Sequence, residues 1–139
     1  MKRADPPVAP NTLPDGVVSL ADHAHHARLM LSDAVWAYFN GGAADEITLR
    51  ANNQAWQGIE LMPRVLRPLA GGHTRVSLLG RELAHPILVA PMAYQSLAHP
   101  QGEHATALAA AALGAGLVVS TQASTRLEDV ARTYLPDAD

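Results

Sequence analysis

The 139-residue chain contains no cysteine. Disulfides, thiolate metal sites and a cysteine nucleophile are therefore excluded, and this composition suits a reducing, cytoplasmic setting. An excess of positive charge is missing too. Ten lysines and arginines against thirteen aspartates and glutamates leave a formal net charge of -3, with no electrostatic footprint for nucleic acid or an anionic membrane. Nor is there a long apolar run. The longest candidate, Ala105 to Val119, is mostly alanine and glycine and falls short of the roughly 18 residues a membrane span needs. The opening stretch MKRADPPVAPNTLPDG has two basic residues and then Pro6, Pro7, Pro10 and Pro14, where a signal peptide would place apolar residues. Residues 1–18 are read as a mobile arm, and 19–139 as the folded part of a soluble protein.

What is present is enough to fold. Hydrophobic residues make up 48% of the chain and charged residues 17%, so a core can form within one ordinary domain. Ser19 can cap a first helix with its hydroxyl, and Leu20, Ala24, Ala27 and Leu31 recur at helical spacing. Ser32 or Asp33 is placed to cap a second short helix carrying Val35, Trp36, Tyr38 and Phe39, which Gly41 and Gly42 should stop through the left-handed conformation. A third helix is expected from Asp45 to Gln57, with Ile47, Leu49 and Trp56 as apolar contacts.

After Gly58 the pattern changes. IELMPRVL reads as extended, and TRVSLLGRELAHPILVAP as a strand, a turn at Gly80-Arg81, a short strand and an apolar strand from Pro86 to Pro91. ILVA does not alternate, as in a strand covered on both faces. A helix from Gln101 to Leu113 follows, ended by Gly114 and Gly116, with Ala105, Ala109 and Ala112 expected against the sheet. LVVST reads as a second buried strand over 117–121, parallel to the first. TRLEDVARTY reads as a second helix, with Thr125 and Glu128 as a capping box. The second half is therefore β-α-β-α, the unit of parallel sheets with right-handed crossovers.

In such folds ligands gather at the carboxyl ends of the strands. Here those ends read APMAYQSLAHP and STQAST. Small residues let a flat ligand approach the backbone: the amides of Met92 and Ala93 can bond the edge of a heterocycle, and Ser120 or Gln122 its carbonyl. The same small residues also suit tight strand-to-helix turns, and spacing alone leaves both readings open. His99 fits a structural hydrogen bond in its turn. His23, His25 and His26 include an i,i+3 pair but no third ligand at helical spacing, which fits a solvated helix face. Arg64 and Arg67 fit surface ion pairs.

Taken together, VWAYFNGGAADEITLRANNQAW, the Pro63-Arg64 pair, the LG…PI..AP.A run, the AHP.GE.A turn and the ST.AS..LE.VA segment resemble the FMN-dependent 2-hydroxy-acid oxidases and dehydrogenases. The resemblance runs from about Val35 to the end. It implies an α/β fold in which N-terminal helices precede the first two β/α units of a (β/α)8 TIM barrel with FMN at its C-terminal mouth. It also implies oxidation of a small 2-hydroxy acid, with molecular oxygen or another acceptor taking the electrons. Pro91, Met92 and Ala93 fall where the first barrel strand lies against the isoalloxazine ring, Ser120 where a hydroxyl bonds the flavin, and Tyr38 at the tyrosine that binds the substrate carboxylate. Met92 stands where the family often has threonine, so a hydroxyl beside the ring is lost, and Ala93 keeps the small residue of oxidase branches.

The family's catalytic histidine and arginines lie on later strands, and a barrel of this type takes about 250 residues. The chain is therefore expected to be an N-terminal piece of the fold, inactive alone, from a truncated reading frame, a split gene or a recombinant fragment. The competing expectation is a non-catalytic module that docks on a full-length relative or on a separate C-terminal half; a homo-oligomer is also open.

Overall fold

A computed structural model describes residues 15–135. Most of the arm expected over 1–18 lies outside the described residues. The chain divides into two compact units, one running to Ile47 and the other from Thr48.

In the first unit, helix α1 spans Leu20–Met30. Ser19 occupies the cap position, but its hydroxyl donates to Asp22 Oδ2 (2.8 Å), and the same oxygen accepts from the Ser19 and Val18 amides at 2.7 and 3.1 Å. The Ser19 hydroxyl and those two amides hold the Asp22 carboxyl below the usual aspartate range. Helix α2, Asp33–Asn40, starts at Ser32, whose hydroxyl accepts from the Val35 amide. Arg28 of α1 bonds Asp33 of α2 and lies over the Trp36 ring, 5.7 Å from its centroid. Gly41 ends α2 with an extended backbone (φ -80°), not in the left-handed state expected for it. The need for glycine is steric instead: a Cβ there would lie 2.6 Å from the Ala37 carbonyl oxygen.

Helix α3, Ile47–Gln57, starts two residues later than expected, because Glu46 is left-handed (φ 56°) and closes a turn in which its carboxylate accepts from the Gly42 amide. Ile47, Leu49 and Trp56 do not form the expected contacts; all three are exposed, Trp56 by 75%. Ile47 and Leu49 are two residues apart and point to different sides of a helix, so they make no common face.

In the second unit, β1 (Val76–Leu78) and β2 (Arg81–Leu83) form an antiparallel hairpin with Leu78 opposite Arg81. The turn is Leu79-Gly80, one residue earlier than expected, both at positive φ (51° and 76°) as a type I′ hairpin loop requires. Strands β3 (Leu88–Val89) and β4 (Gly116–Leu117) are parallel, Leu88 opposite Gly116, and a bond from the Val118 amide to the Val89 carbonyl extends the pair. Helix α4, Gly102–Leu113, is the crossover between them, and Gly114 closes it in the left-handed state (φ 66°). Gly116 belongs to β4 and not to the helix end; a Cβ there would meet the Leu88 side chain at 2.6 Å.

The expected parallel pairing holds, while the strands are shorter and barer than expected. Ile87 is 66% exposed, and Leu88 and Val118 are exposed as well, because a two-stranded sheet has no second layer on both faces. Helix α4 buries Glu103, Ala107 and Ala110, and not the expected Ala105, Ala109 and Ala112 face. An alanine helix is apolar all round, so its pattern selects no side; packing against α5 (Leu127–Tyr134) does. Val130 of α5 is the one large side chain fully buried among the described residues. On the same helix, Tyr134 donates to the Ala115 carbonyl (2.7 Å) and Thr133 pairs with His104 (2.8 Å); at the other end of α4, His85 Nε2 meets the Leu113 carbonyl (2.9 Å). Among the described residues the strands form two separate two-stranded sheets and close no barrel, and no helix is long and apolar enough to cross a membrane.

Candidate functional site

The carboxyl ends of β3 and β4 lie side by side because the strands are parallel. The Tyr94 amide donates to the Gln122 carbonyl at 3.0 Å, which joins the two following loops directly. Pro91, Met92 and Ala93 lead out of β3, with Met92 44% exposed and Ala93 half-buried. Among the described residues neither the Met92 nor the Ala93 amide is taken up by a hydrogen bond. Ser120 leads out of β4 and is half-buried; its oxygen accepts from the Gln122 amide at 3.1 Å. A hydroxyl that accepts this bond still has its own proton to donate. The Gln122 side chain is at the surface of the same loop. A cleft of about 340 Å³ opens beside Ser120, lined also by Thr121, Ala123, Thr125 and Arg126 among others; Met92, Ala93 and Gln122 do not line it. Two amides and a hydroxyl on small-residue backbone are a donor set suited to the nitrogen and carbonyl edge of a planar heterocycle.

Beneath this rim is a carboxylate that sequence reasoning passed over. Glu103, in the first turn of α4, is buried at 3% exposure. Its Oε1 accepts from the Gln95 amide (3.3 Å) and the Ser124 amide (2.8 Å), and its Oε2 from the Thr125 hydroxyl (2.9 Å). Burial pushes the carboxyl up, but bonds from the Ser124 amide, its own amide, the Thr125 hydroxyl and the Gln95 amide outweigh it. Glu103 is therefore held below the usual glutamate range. The expected capping box is not formed for the same reason: Thr125 bonds Glu103, Arg126 takes the cap position, and Glu128 sits 3.8 Å from Arg126. A charge-assisted bond to a buried carboxylate outcompetes an exposed cap.

Further links reinforce the rim. The Gln95 side chain donates to the Met92 carbonyl (3.4 Å) and accepts from Thr106 (2.6 Å), while the Ser96 amide and hydroxyl both reach the Ser124 hydroxyl. Gly102, at the start of α4, has φ +44°, and a Cβ there would lie 3.1 Å from the Ser96 amide nitrogen; only glycine lets the helix start so close to the loop. Tyr94 itself is left-handed (φ 51°), a conformation that is costly for a bulky residue and is held here by the bond to Gln122. The signal that marks Glu103 in the sequence is a lone acid in an alanine-rich helix, sharing i, i+4, i+7 spacing with Ala107 and Ala110.

The remaining candidates take simpler places. The His99 Nδ1 accepts from the Gln101 amide at 3.2 Å, the structural bond expected of it. Arg64 and Arg67 are exposed and make none of the expected ion pairs among the described residues. Tyr38 belongs to the first unit, half-exposed on α2, with its ring edge-on to Phe39 at 5.1 Å between centroids. His23, His25 and His26 lie on α1.

Residues 27–138 match the family model of the FMN-dependent dehydrogenases. The chain is 50% identical over 119 residues to an L-lactate oxidase of Roseobacter sp. (strain GAI101), covering 85% of this chain and 32% of that protein. It is 40% identical over 114 residues to 2-hydroxyacid oxidase 2 of Rattus norvegicus, covering 82% and 32%. A crystal structure of mandelate oxidase superimposes with a TM-score of 0.80 at 40% identity, covering 84% of this chain and 34% of that one. A mandelate oxidase variant with a C4a-OH-FMN adduct superimposes at 0.78 and 38% identity, covering 81% and 34%. The chain thus spans about a third of the length of the relatives it matches.

Proposed function

The chain belongs to the FMN-dependent dehydrogenase family, and from that premise we propose that it forms the first two β/α units of a (β/α)8 flavin barrel that oxidises a small 2-hydroxy acid to the 2-oxo acid. The observation that carries this reading is the joined rim at the ends of β3 and β4, with the Met92 and Ala93 amides and the Ser120 hydroxyl on it. These groups fit FMN. Pro91, Met92 and Ala93 would lie along the ring, the two amides donating to its edge, while Ser120 and Gln122 offer donors to its carbonyls. FMN, when bound, supplies a two-electron acceptor for the hydrogen on C2 of the substrate. By the family resemblance, Tyr38 would donate its phenol hydrogen to the substrate carboxylate. No group of this chain is assigned as the base that takes the hydroxyl proton. Oxygen or another acceptor would reoxidise the flavin, and the similarity to lactate, 2-hydroxyacid and mandelate oxidases favours oxygen.

The test is complementation. Co-expressed with the remaining two thirds of a lactate oxidase, the chain should yield a yellow complex whose flavin is bleached by a 2-hydroxy acid under anaerobic conditions. A stable complex that retains no flavin would refute the assignment.

A second reading has its own observation. An apolar groove of about 630 Å³ runs along β3 and α4, lined by His85, Ile87, Val89, Ala105, Ala109 and Leu113, and among the described residues β3 pairs only with β4. In this reading the chain is a docking module for a C-terminal β/α half and has no turnover of its own. Sedimentation of the mixed halves distinguishes it: a tight complex without substrate-dependent bleaching supports docking alone.

A further inference from the structure

We infer that Glu103 is a positioning residue: its buried carboxylate ties the loop after β3 to the loop after β4 and so sets the spacing between the Met92–Ala93 amides and the Ser120 hydroxyl. The role of that spacing rests on the flavin reading above, whereas the tie itself does not. One oxygen, Oε1, accepts an amide from each loop, Gln95 on one side and Ser124 on the other, and Oε2 holds Thr125. Gln95 passes the restraint to the Met92 carbonyl through its side chain. On the other loop, Ser124 and Thr125 follow Gln122, whose carbonyl takes the Tyr94 amide, and Ser120, whose oxygen takes the Gln122 amide. The carboxylate thus reaches Met92 through Gln95, and Gln122 and Ser120 through the short run of backbone that ends at Ser124. A small apolar side chain at position 103 would fill space under the loops but would leave the buried Gln95 amide and the part-buried Ser124 amide unpaired and free to separate.

The charge is not matched by a partner cation. The ionisable groups on the elements around it are otherwise engaged: His99 with the Gln101 amide, His104 with Thr133, Arg126 beside Glu128, and Arg132 with Asp129. The carboxylate is held by amides and a hydroxyl at the start of a helix, where the backbone dipole also favours a negative group. Its ionisation therefore reports on its burial and on the amide and hydroxyl donors around it, with no partner cation among the described residues.

Amide NMR of the 139-residue chain tests this. In the wild type, the Gln95 and Ser124 amides should titrate together with one apparent pKa below the usual glutamate range, and Glu103→Gln should abolish that shared step. Two amides that titrate separately, or still titrate in Glu103→Gln, would overturn the tie. For the flavin-facing role, millimolar FMN is added and the Met92, Ala93 and Ser120 amides are followed. Glu103→Ala should weaken their response about tenfold, Glu103→Gln should restore most of it because an amide oxygen can take the place of Oε1, and Val130→Ala, a cavity in the same core, should leave it intact. Equal losses in Val130→Ala and Glu103→Ala would reduce Glu103 to a purely structural group. If Glu103→Ala does not fold, Glu103→Met, which fills the space but offers the two amides no oxygen acceptor, takes its place against Glu103→Gln and Val130→Ala, with the same loss expected. A wild type whose shared titration is present but whose amides ignore FMN would refute the flavin assignment and leave the tie standing.

Discussion

Two side chains, Glu103 and Tyr38, show how much a single residue decides here. The folded-state pKa of Glu103 lies below its unfolded value, so its stabilisation is complete above the ordinary glutamate pKa of about 4.3 and is lost as pH falls through the folded value. Glu103→Gln should therefore be less stable than the wild type by about 1.5–3 kcal/mol at neutral pH. The gap should narrow as the pH falls through the folded value, which urea titrations at pH 7 and pH 3 would measure; a constant gap would mean the charge contributes nothing. Tyr38 carries a different prediction. In a protein that has the whole barrel, Tyr38→Phe should raise KM for a 2-hydroxy acid by roughly ten- to a hundredfold, as expected for one hydrogen bond to a charged carboxylate. Flavin content should stay the same, and its edge contact with Phe39 should survive. Steady-state kinetics of the pair of proteins decides between this role and plain packing, which leaves both kinetic parameters unchanged.

At the scale of elements, the β1–β2 hairpin combines a good register with a poor turn. Leu79 occupies a left-handed position that costs a branched residue about 1–2 kcal/mol, and it is 95% exposed, so no packing depends on it. Leu79→Asn creates the Asn-Gly pair that this turn prefers and should stabilise the second unit by about 1 kcal/mol. The converse change, Gly80→Ala, meets no neighbouring atom within 4 Å, so any loss comes from the backbone alone; it should cost about 1–2 kcal/mol. Thermal melts of the two variants should move in opposite directions. Opposite signs would show that the turn limits the hairpin, and two neutral results would show that it does not. Helix α5 is held differently: around the buried Ala107, Ala110 and Val130, Thr133 bonds His104 of α4 and Tyr134 bonds the Ala115 carbonyl just before β4.

Across the whole molecule the buried apolar set is small, with Ala107, Ala110, Ala115 and Val130 at its centre, while Leu61, Met62, Val65, Leu66 and Leu69 are all more than 80% exposed. The purified chain should bind an apolar dye such as ANS strongly, and should retain little flavin absorbance or bind added FMN more weakly than micromolar. In the flavin reading proposed above, the rim donors would reach only one edge of the ring, and the phosphate grip of this barrel type comes from its seventh and eighth strands. Stoichiometric FMN at micromolar affinity, measured by fluorescence quenching, would overturn that account.

Helices α1, α2, α4 and α5 and the β-α-β order could be read from sequence because caps, glycines and apolar spacing are local signals. The rim segments Met92–Ala93 and Ser120–Gln122 could be read as well, since small residues at strand ends announce themselves. What the sequence by itself determined is thus the order of elements, the family pattern and which residues follow the two parallel strands. Tertiary structure alone decided which face of α4 is buried, because an alanine helix carries no preference until α5 packs on it. It also decided that Thr125 turns from its helix cap to a carboxylate more than twenty residues earlier in the chain. The physical reason is common to both. Propensity and capping are set by neighbours along the chain, whereas a buried charge takes whatever donors the fold brings within about 3 Å of it, and no local pattern records which those will be.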